Sequence, residues 1–283
     1  MNEGDVQFGY GPAFYRLLMP FFQLPSLRGF SANNLIDPSY LVDAENNEPT
    51  GFSTITDIDL RESCANDGMH TLISSCTALK SFKYQHSDLP LESIGYRPDR
   101  LYHALSRHKE TLEVLWLDHH GTHYSYTAGG LNQTRESWIG SLADFTALQE
   151  LRIPLHNLLD IQHKSSPTTP LFDCLPPSLE SLYIEGCKEH QFSMLVLQLD
   201  AVFMNGDIRF PNLQRVEVEG NFLDASLYSG KIDPSTPETP GPAVSSHILL
   251  AAKTLQRGCD AAGVDLHIYH HDGPQHQIIS RES

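Results

Sequence analysis

Basic residues are scarce in this chain, and long apolar runs are missing from it. Lys and Arg number 19 among 283 residues, whereas Asp and Glu number 35, which gives a formal net charge of −16 at pH 7. A surface of that sign repels nucleic-acid phosphates and anionic lipid headgroups, so neither a nucleic acid nor a membrane is predicted as a partner. No segment reaches the run of about 18 apolar residues that a membrane-spanning helix needs.

The features of a secreted protein are also missing. Residues 1–5 include two acidic residues, whereas a secretory signal begins with basic residues and continues with an apolar run. The five cysteines are odd in number and scattered, without the Cys-x-x-Cys spacing of a zinc or redox site. We therefore expect buried free thiols in a reducing compartment, and a cytoplasmic or nuclear protein.

None of the common catalytic motifs is present. The sequence contains no Gly-x-Ser-x-Gly elbow, no glycine-rich phosphate loop and no His-Glu-x-x-His zinc motif. We therefore predict no catalytic residues and no cofactor.

One sequence pattern recurs along the chain. It consists of a leucine-like residue, two variable residues, a second leucine-like residue, two more variable residues and an apolar-x-apolar pair. The pairs begin at positions 30, 58, 82, 115, 151, 182, 216 and 266, with gaps of 24 to 50 residues. The copies that begin at 58 and 266 are partial. This pattern is typical of leucine-rich repeats, although the spacing is irregular.

Each apolar-x-apolar pair predicts a short strand. Leu115 and Leu117 would point into the core and Trp116 away from it, because side chains alternate along a strand. Since one repeat cannot cover its own apolar edge, neighbouring repeats must stack in parallel. The predicted fold is therefore an α/β, irregular leucine-rich-repeat solenoid or horseshoe, with a parallel strand ladder on the concave face and helices on the convex face. We expect one domain over residues 1–283, with about seven to eight repeats.

Helices are predicted between the strands, and two segments interrupt the repeats. The apolar spacing favours helices over residues 67–75, 100–108 and 247–256, and a convex-side helix over residues 12–22. Residues 118–138 form a long polar and aromatic loop. Residues 231–246 contain four prolines and are predicted to be a mobile insertion.

Three segments resemble the repeat region of filamentous-fungal F-box/leucine-rich-repeat proteins, namely residues 139–154, 175–187 and 210–218. Residues 259–268 resemble the terminal helix and strand of that family, and the resemblance extends over roughly residues 20–270. It implies that the repeats select a substrate for a ubiquitin ligase, whose core binds the F-box. No Leu-Pro-x-Glu F-box sequence precedes the first repeat. A ligase core is therefore a predicted partner only if an F-box lies upstream, and the start in mid-repeat predicts either a missing N-terminal segment or a relative without one.

Histidine is abundant, with 15 copies. Asp118 together with His119, His120 and His123 has a composition that suits zinc or iron. We predict no metal site, because leucine-rich repeats place a hydrogen-bonding residue five positions after the first strand residue. That count selects His120, His156, Cys187, Asn221 and His271, and an imidazole can make the required bond.

The remaining candidate site is the concave face. Its residues are those that alternate with the buried positions of the strands. Trp116, Arg152 and Tyr183 form one column across three adjacent strands, and Trp, Arg and Tyr are frequent interface anchors. The predicted binding residues are Asp59, Arg61, Lys83, Gln85, Trp116, Asp118, Arg152, Tyr183, Glu185, Glu217 and Glu219.

These residues predict a protein–protein interaction module. We expect the partner to place an apolar or aromatic element against Trp116 and Tyr183. A basic segment of the partner would lie against Glu185, Glu217 and Glu219, which gather on the C-terminal strands.

The alternative is an enzyme or a small-molecule binder. It would use a concave pocket around Trp116, Asp118, His119 and Arg152.

Overall fold

The chain folds around one large, mostly parallel β-sheet. The computed structural model describes residues 5–8, 13–14, 17–36, 51–63, 67–87, 98–119, 138–161, 166–222, 244–270 and 277–279. The strands are β1 (Asp5–Phe8), β2 (Ala13–Phe14), β3 (Gly29–Asn33), β4 (Leu35–Ile36), β5 (Asp57–Ser63), β6 (Ser81–His86), β7 (Val114–His119), β8 (Glu150–Pro154), β9 (Ser181–Lys188), β10 (Arg215–Asn221), β11 (Asp265–His270) and β12 (Gln277–Ile279).

Helices occupy the connections between these strands. They are α1 (Met19–Phe22), α2 (Asp67–Ser75), α3 (Pro98–Leu105), α4 (Leu155–Leu158), α5 (Leu171–Cys174), α6 (Glu189–Met204), α7 (Gly206–Arg209) and α8 (Ser246–Ala262). A 3-10 turn over Ser106–His108 follows α3. None of the described helices is long and apolar enough to cross a membrane.

The strand order follows the chain order. Ten strands form the sheet in the order β1-β3-β5-β6-β7-β8-β9-β10-β11-β12, and β2 and β4 form a separate parallel pair. All neighbours in the large sheet are parallel except β11 and β12. The predicted strand residues are direct partners across the sheet, which confirms the register. They are Phe30, Ile58, Phe82, Leu115, Leu151, Leu182, Val216 and Leu266.

A repeated backbone contact fixes the start of each strand. The carbonyl oxygen of Gln149 accepts hydrogen bonds from the N–H groups of Glu180 and Ser181, at 2.8 and 3.0 Å. In the next repeat the carbonyl oxygen of Glu180 accepts from Gln214 and Arg215 in the same way. These hydrogen bonds therefore fix the register of each strand relative to the strand of the preceding repeat.

The core lies between the sheet and the helices. Buried and partly exposed residues alternate along the strands, and in β6 the alternation is complete. The longest helices bury residues at helical spacing, such as Leu195, Leu199 and Val202 in α6 and Leu255 and Cys259 in α8. Buried residues of the strands and of the helices belong to one apolar cluster, so strands and helices share a single core.

Three predicted helices are confirmed and one is wrong. Helix α2 has the predicted bounds, and residues 98–108 are helical. Helix α8 continues beyond its predicted end, and Gly263 terminates it by adopting a φ of 71°. The helix predicted over residues 12–22 is reduced to α1, because residues 13–14 form β2 and Pro20 lies in the first turn of α1. Residues 120–137 and 223–243 lie outside the described residues, and with them most of the two predicted insertions.

The described cysteines are buried free thiols, as predicted. They are Cys76, Cys174, Cys187 and Cys259, and Cys64 lies outside the described residues. Burial raises the pKa of Cys76 to about 12 and that of Cys174 to about 11. These thiols therefore stay protonated at neutral pH and serve as small apolar core residues.

Candidate functional site

One face of the sheet carries the partly exposed residues that alternate with the buried core positions of the strands, and we call it the open face. Ten of the eleven predicted binding residues are partly exposed there, which confirms the predicted alternation, and Glu185 is the exception.

Cationic and aromatic side chains alternate across four adjacent strands of the open face. Lys83, Trp116, Arg152 and Tyr183 are successive partners in the sheet register. The Lys83 Nζ lies 3.7 Å from the centroid of the Trp116 ring, and the Arg152 Cζ lies 4.6 Å from that of Tyr183. Both distances are within the range of about 6 Å for an attractive cation–π contact. We call these four residues the cation–aromatic row.

Arg152 also joins two carboxylates from the strands on either side of it. Its Nη2 lies 3.3 Å from Asp118 Oδ2 on β7 and 3.2 Å from Glu185 Oε2 on β9. Burial opposes the charge of the guanidinium, but Glu185 and Asp118 outweigh that effect and raise the pKa of Arg152. The Nε2 of Gln85 donates a further hydrogen bond to Asp118 Oδ2, at 3.4 Å. Four strands therefore contribute to one polar cluster.

Glu185 is the buried member of this cluster. Only 4% of its side chain is exposed, so the prediction that it presents a charge to solvent is wrong. Strand β9 has a bulge at this point, because Ile184 pairs with Val218 but Cys187 pairs with Gly220. Two residues of β9, Glu185 and Gly186, thus lie opposite one residue of β10, and Gly186 adopts a φ of 71°.

Burial raises the pKa of Glu185 well above 4.5. The negative charge of Asp118 raises this pKa further, and Arg152 opposes the increase. The Glu185 Oε1 atom accepts no hydrogen bond from the described residues. Burial therefore disfavours the charged form of Glu185, and the Arg152 guanidinium counteracts that effect.

The two remaining predicted glutamates each accept a hydrogen bond from a tyrosine. The Tyr183 hydroxyl donates to Glu219 Oε2, and the Tyr269 hydroxyl donates to Glu217 Oε1 at 3.2 Å. Burial and the charge of Glu217 raise the pKa of Tyr269 to about 12, so this tyrosine remains a donor at neutral pH. Tyr269 was not among the predicted residues, but the same alternation on the last partial repeat selects it.

The predicted pair Asp59 and Arg61 lies apart from this cluster. Arg61 contacts Asp59 of the same strand through Nε at 2.6 Å and through Nη2 at 3.1 Å. Both side chains are more than one third exposed, so the pair contributes little to stability.

Comparison with known families decides what kind of protein presents this face. The sequence model described as a leucine-rich repeat domain matches residues 12–225, which is more than half of the 283-residue chain. The chain belongs to the leucine-rich-repeat family. No curated protein and no solved structure matches it. Leucine-rich-repeat domains generally mediate protein–protein interactions and are typically not enzymes.

A small space and a larger one lie between described residues on the open face of this leucine-rich-repeat sheet. The first, among Trp116, Asp118 and Arg152, has a volume of about 10 Å³, which is room for about one water molecule. The space that these three residues share therefore has no room for a substrate, but Trp116 and Arg152 also line the second space. The side chain of His119 lies outside the described structure. The second is a depression of about 470 Å³ between Trp116 and Tyr183.

The hydrogen-bonding residues expected of a leucine-rich repeat are only partly those predicted. His156 and Cys187 are buried as expected, and burial lowers the pKa of His156 to about 4. Asn221 is exposed, and the buried residue near it is His270, whose Nδ1 accepts a hydrogen bond from the Phe222 N–H at 3.3 Å. His120, His123 and His271 lie outside the described residues. Within the described part of the chain, no cluster of three or more His, Cys, Asp or Glu side chains could hold a metal ion.

A buried histidine that the repeat count did not select connects two neighbouring repeats. The Nδ1 of His108 accepts a hydrogen bond from the Leu79 N–H at 3.3 Å, so its Nε2 carries the proton and donates to the Ile73 carbonyl at 3.1 Å. This arrangement needs a neutral ring. Burial, with a smaller effect of Arg107, lowers the pKa of His108 below 6.5 despite the bond to Ile73.

We expect His108→Ala to lower the free energy of unfolding by about 1–3 kcal/mol at pH 7.5, because it leaves the buried Leu79 N–H without an acceptor. A lowered histidine pKa stabilises the folded state above pH 6.5 and loses that effect as the pH falls. The cost of the substitution should therefore be smaller at pH 5. Urea unfolding at both pH values measures it. The exposed neighbour His103→Ala is the control, and an equal cost for both variants would contradict the role assigned to His108.

Proposed function

We propose that this protein is an interaction module that binds a partner protein on the open face, with the sheet as the inner side of a horseshoe and the helices outside. The cation–aromatic row supports this proposal most directly. It places two aromatic rings and two cations side by side on a surface where strands alone would require neither. Tyr, Trp and Arg are the residue types that dominate binding energy at protein interfaces.

The contacts of the row reduce the cost of binding. Lys83 and Arg152 already contact the aromatic rings, and Arg152 is also held by Asp118 and Glu185. Side chains that are ordered before binding lose less conformational entropy when the partner arrives. The row therefore favours an apolar or aromatic element of the partner, which covers the rings without competing for the cations.

The acidic residues of the C-terminal strands favour a basic segment beside that element. Glu217 and Glu219 remain partly exposed, whereas Glu185 is neutralised inside the cluster and contributes no charge to the surface. The net charge of −16 adds a long-range attraction for a basic partner.

The resemblance to F-box proteins supports a finer assignment. We propose that the module recognises the substrate of an F-box-type ubiquitin ligase, in the cytoplasm or the nucleus. A ligase core would be a partner only if an F-box lies upstream of the repeats. Affinity purification with mass spectrometry identifies the partner, and a set of partners without ligase subunits would contradict this assignment.

Trp116→Ala should accelerate dissociation of the purified partner. Loss of a central aromatic anchor costs about 2 kcal/mol or more, which corresponds to dissociation that is about 30-fold faster. Surface plasmon resonance measures both rate constants. The control is the aromatic-to-alanine change Phe172→Ala at a partly buried position on α5. Equal rate constants for all three proteins would exclude the open face as the binding site.

Glu217→Lys/Glu219→Lys should slow association and weaken its dependence on salt. Charges at the rim of an interface act mainly on the association rate, through long-range attraction that salt screens. We expect association to be about tenfold slower at low ionic strength. Asp173→Lys/Asp260→Lys changes the net charge equally but lies on α5 and α8, so it should have a smaller effect. The opposite ranking of the two variants would contradict the proposed orientation of the partner.

A further inference from the structure

The depression of about 470 Å³ on the open face has a simple structural origin. Ser181 lies between Glu150 on one neighbouring strand and Arg215 on the other, as their direct partner in the register. A small side chain between two long ones leaves a gap. Trp116 and Tyr183 form the aromatic walls above this gap.

Two carboxylates in the depression have no cationic partner among the residues that the structure describes. Within the described residues, Glu150 and Glu180 take part in no hydrogen bond or ion pair through their side chains, whereas Arg152 is already paired with Asp118 and Glu185. Arg215 lies at the far side, in register with Asp265, and Glu217 also lines the space. The acids of the lining outnumber its two arginines, and one of those arginines is already neutralised.

The backbone of these two glutamates is fixed. The Glu150 N–H donates to the Glu113 carbonyl at 3.0 Å, and the Glu180 N–H donates to the Gln149 carbonyl at 2.8 Å. Because Ser181 is the register partner of Glu150, its neighbour Glu180 lies at the same end of the depression. The two carboxylates are thus presented together by rigid backbone rather than by mobile chain.

We propose that the depression binds an arginine side chain of the partner, with the guanidinium at Glu150 and Glu180. The aliphatic part of that arginine is then the apolar element that lies against Trp116 and Tyr183. This inference rests on the proposed function and names the residue type that the partner must supply. Arginine fits better than lysine, because its planar group donates several hydrogen bonds at once and stacks on aromatic rings. An acidic or apolar side chain would leave both glutamates without a partner.

Short peptides test the inference without knowledge of the partner. The probes are acetyl-Gly-Arg-Gly amide and the same peptide with lysine or with uncharged citrulline, titrated at low ionic strength. The protein has two tryptophans, so its NMR spectrum has two indole N–H signals. The signal that remains in the Trp138→Phe variant belongs to Trp116. We expect the arginine peptide to shift the Trp116 signal with the lowest Kd, and citrulline to bind about tenfold more weakly or not at all.

Glu150→Gln/Glu180→Gln should weaken the arginine peptide about tenfold, since both ionic partners are lost. The control Asp173→Asn/Asp260→Asn changes the net charge equally on α5 and α8 and should bind like the parent. No shift of Trp116 with arginine, or equal affinity for the Glu150→Gln/Glu180→Gln variant, would overturn the inference. If that variant also binds the purified partner like the parent while Trp116→Ala does not, the arginine site is wrong and the proposed function stands. If Trp116→Ala binds the partner like the parent while the peptide results hold, the arginine site stands and the proposed function is wrong.

Discussion

Leu182→Ala is expected to lower the free energy of unfolding by about 2–5 kcal/mol, through the lost transfer of the side chain and the cavity that remains. Leu182 is fully buried in a central strand, and its register partners are Leu151 and Val216. Because each repeat is supported only by its neighbours, a cavity here weakens the contact of β9 with both sides. Denaturant unfolding, followed by circular dichroism, measures the change.

The adjacent Tyr183→Ala is the matched control for this experiment. The Tyr183 side chain lies on the open face, where it contacts Arg152 and donates to Glu219. Its loss removes these contacts but leaves no core cavity, so we expect a cost well under half of that at Leu182. Equal costs at the two positions would mean that the assignment of buried and open faces is incorrect.

The second large effect is expected for Arg152→Ala. Removal of one partner from a buried ion pair typically costs about 3–5 kcal/mol, because the other charge stays buried without compensation. Glu185, with 4% of its side chain exposed, is that charge. We expect a loss of this size at pH 8. The control is Arg215→Ala, an exposed arginine of the same face without an ion pair among the described residues, with an expected change within about 0.5 kcal/mol.

The effect of Arg152→Ala should depend on pH in a defined direction. The pKa of Glu185 is raised above 4.5 in the folded state. The folded protein therefore binds a proton at this carboxyl group more tightly than the unfolded chain does. Stability from this group is therefore present at low pH and declines as the pH rises through the folded pKa. Without Arg152 the pKa rises further, so the variant should lose less stability at pH 5 than at pH 8.

Glu185→Gln in the Arg152→Ala background separates charge from packing. The amide cannot ionise, so the double variant should recover most of the stability at pH 8 and show a flatter pH dependence. Unfolding curves at the two pH values provide the comparison. If the double variant is as unstable as Arg152→Ala, the loss comes from the packing of the arginine stem and not from the buried carboxylate.

The sheet could be predicted from the sequence because one local rule decides it. A residue such as Leu115 or Leu117 in an apolar-x-apolar pair must be buried, and a shift of one position would expose the whole set. The eight strand residues at positions 30 to 266 consequently lie in register. The exposure of Trp116 and Tyr183 follows from the same rule.

The polar cluster could not be predicted, because it depends on contacts between strands that are about thirty residues apart. Nothing local to Glu185 indicates that Arg152 and Asp118 enclose it or that a bulge at Gly186 changes its path. The short β2 in place of a helix is a similar case, since pairing with β4 overrides the local apolar spacing there. Glu150 and Glu180 stand out only after Ser181 is known to leave a gap between its neighbours.

The agreement between strand order and chain order has a consequence for folding. Each strand of the large sheet joins the one that precedes it in the sheet, so every new contact closes only a short loop of chain. The longest closure is that between Val216 and Leu266, because 50 residues separate them. The entropy cost of closing a loop grows slowly, by about 0.6 kcal/mol for each doubling of its length. The repeats can therefore tolerate segments of very unequal length between strands, and the sheet can grow stepwise from any nucleus.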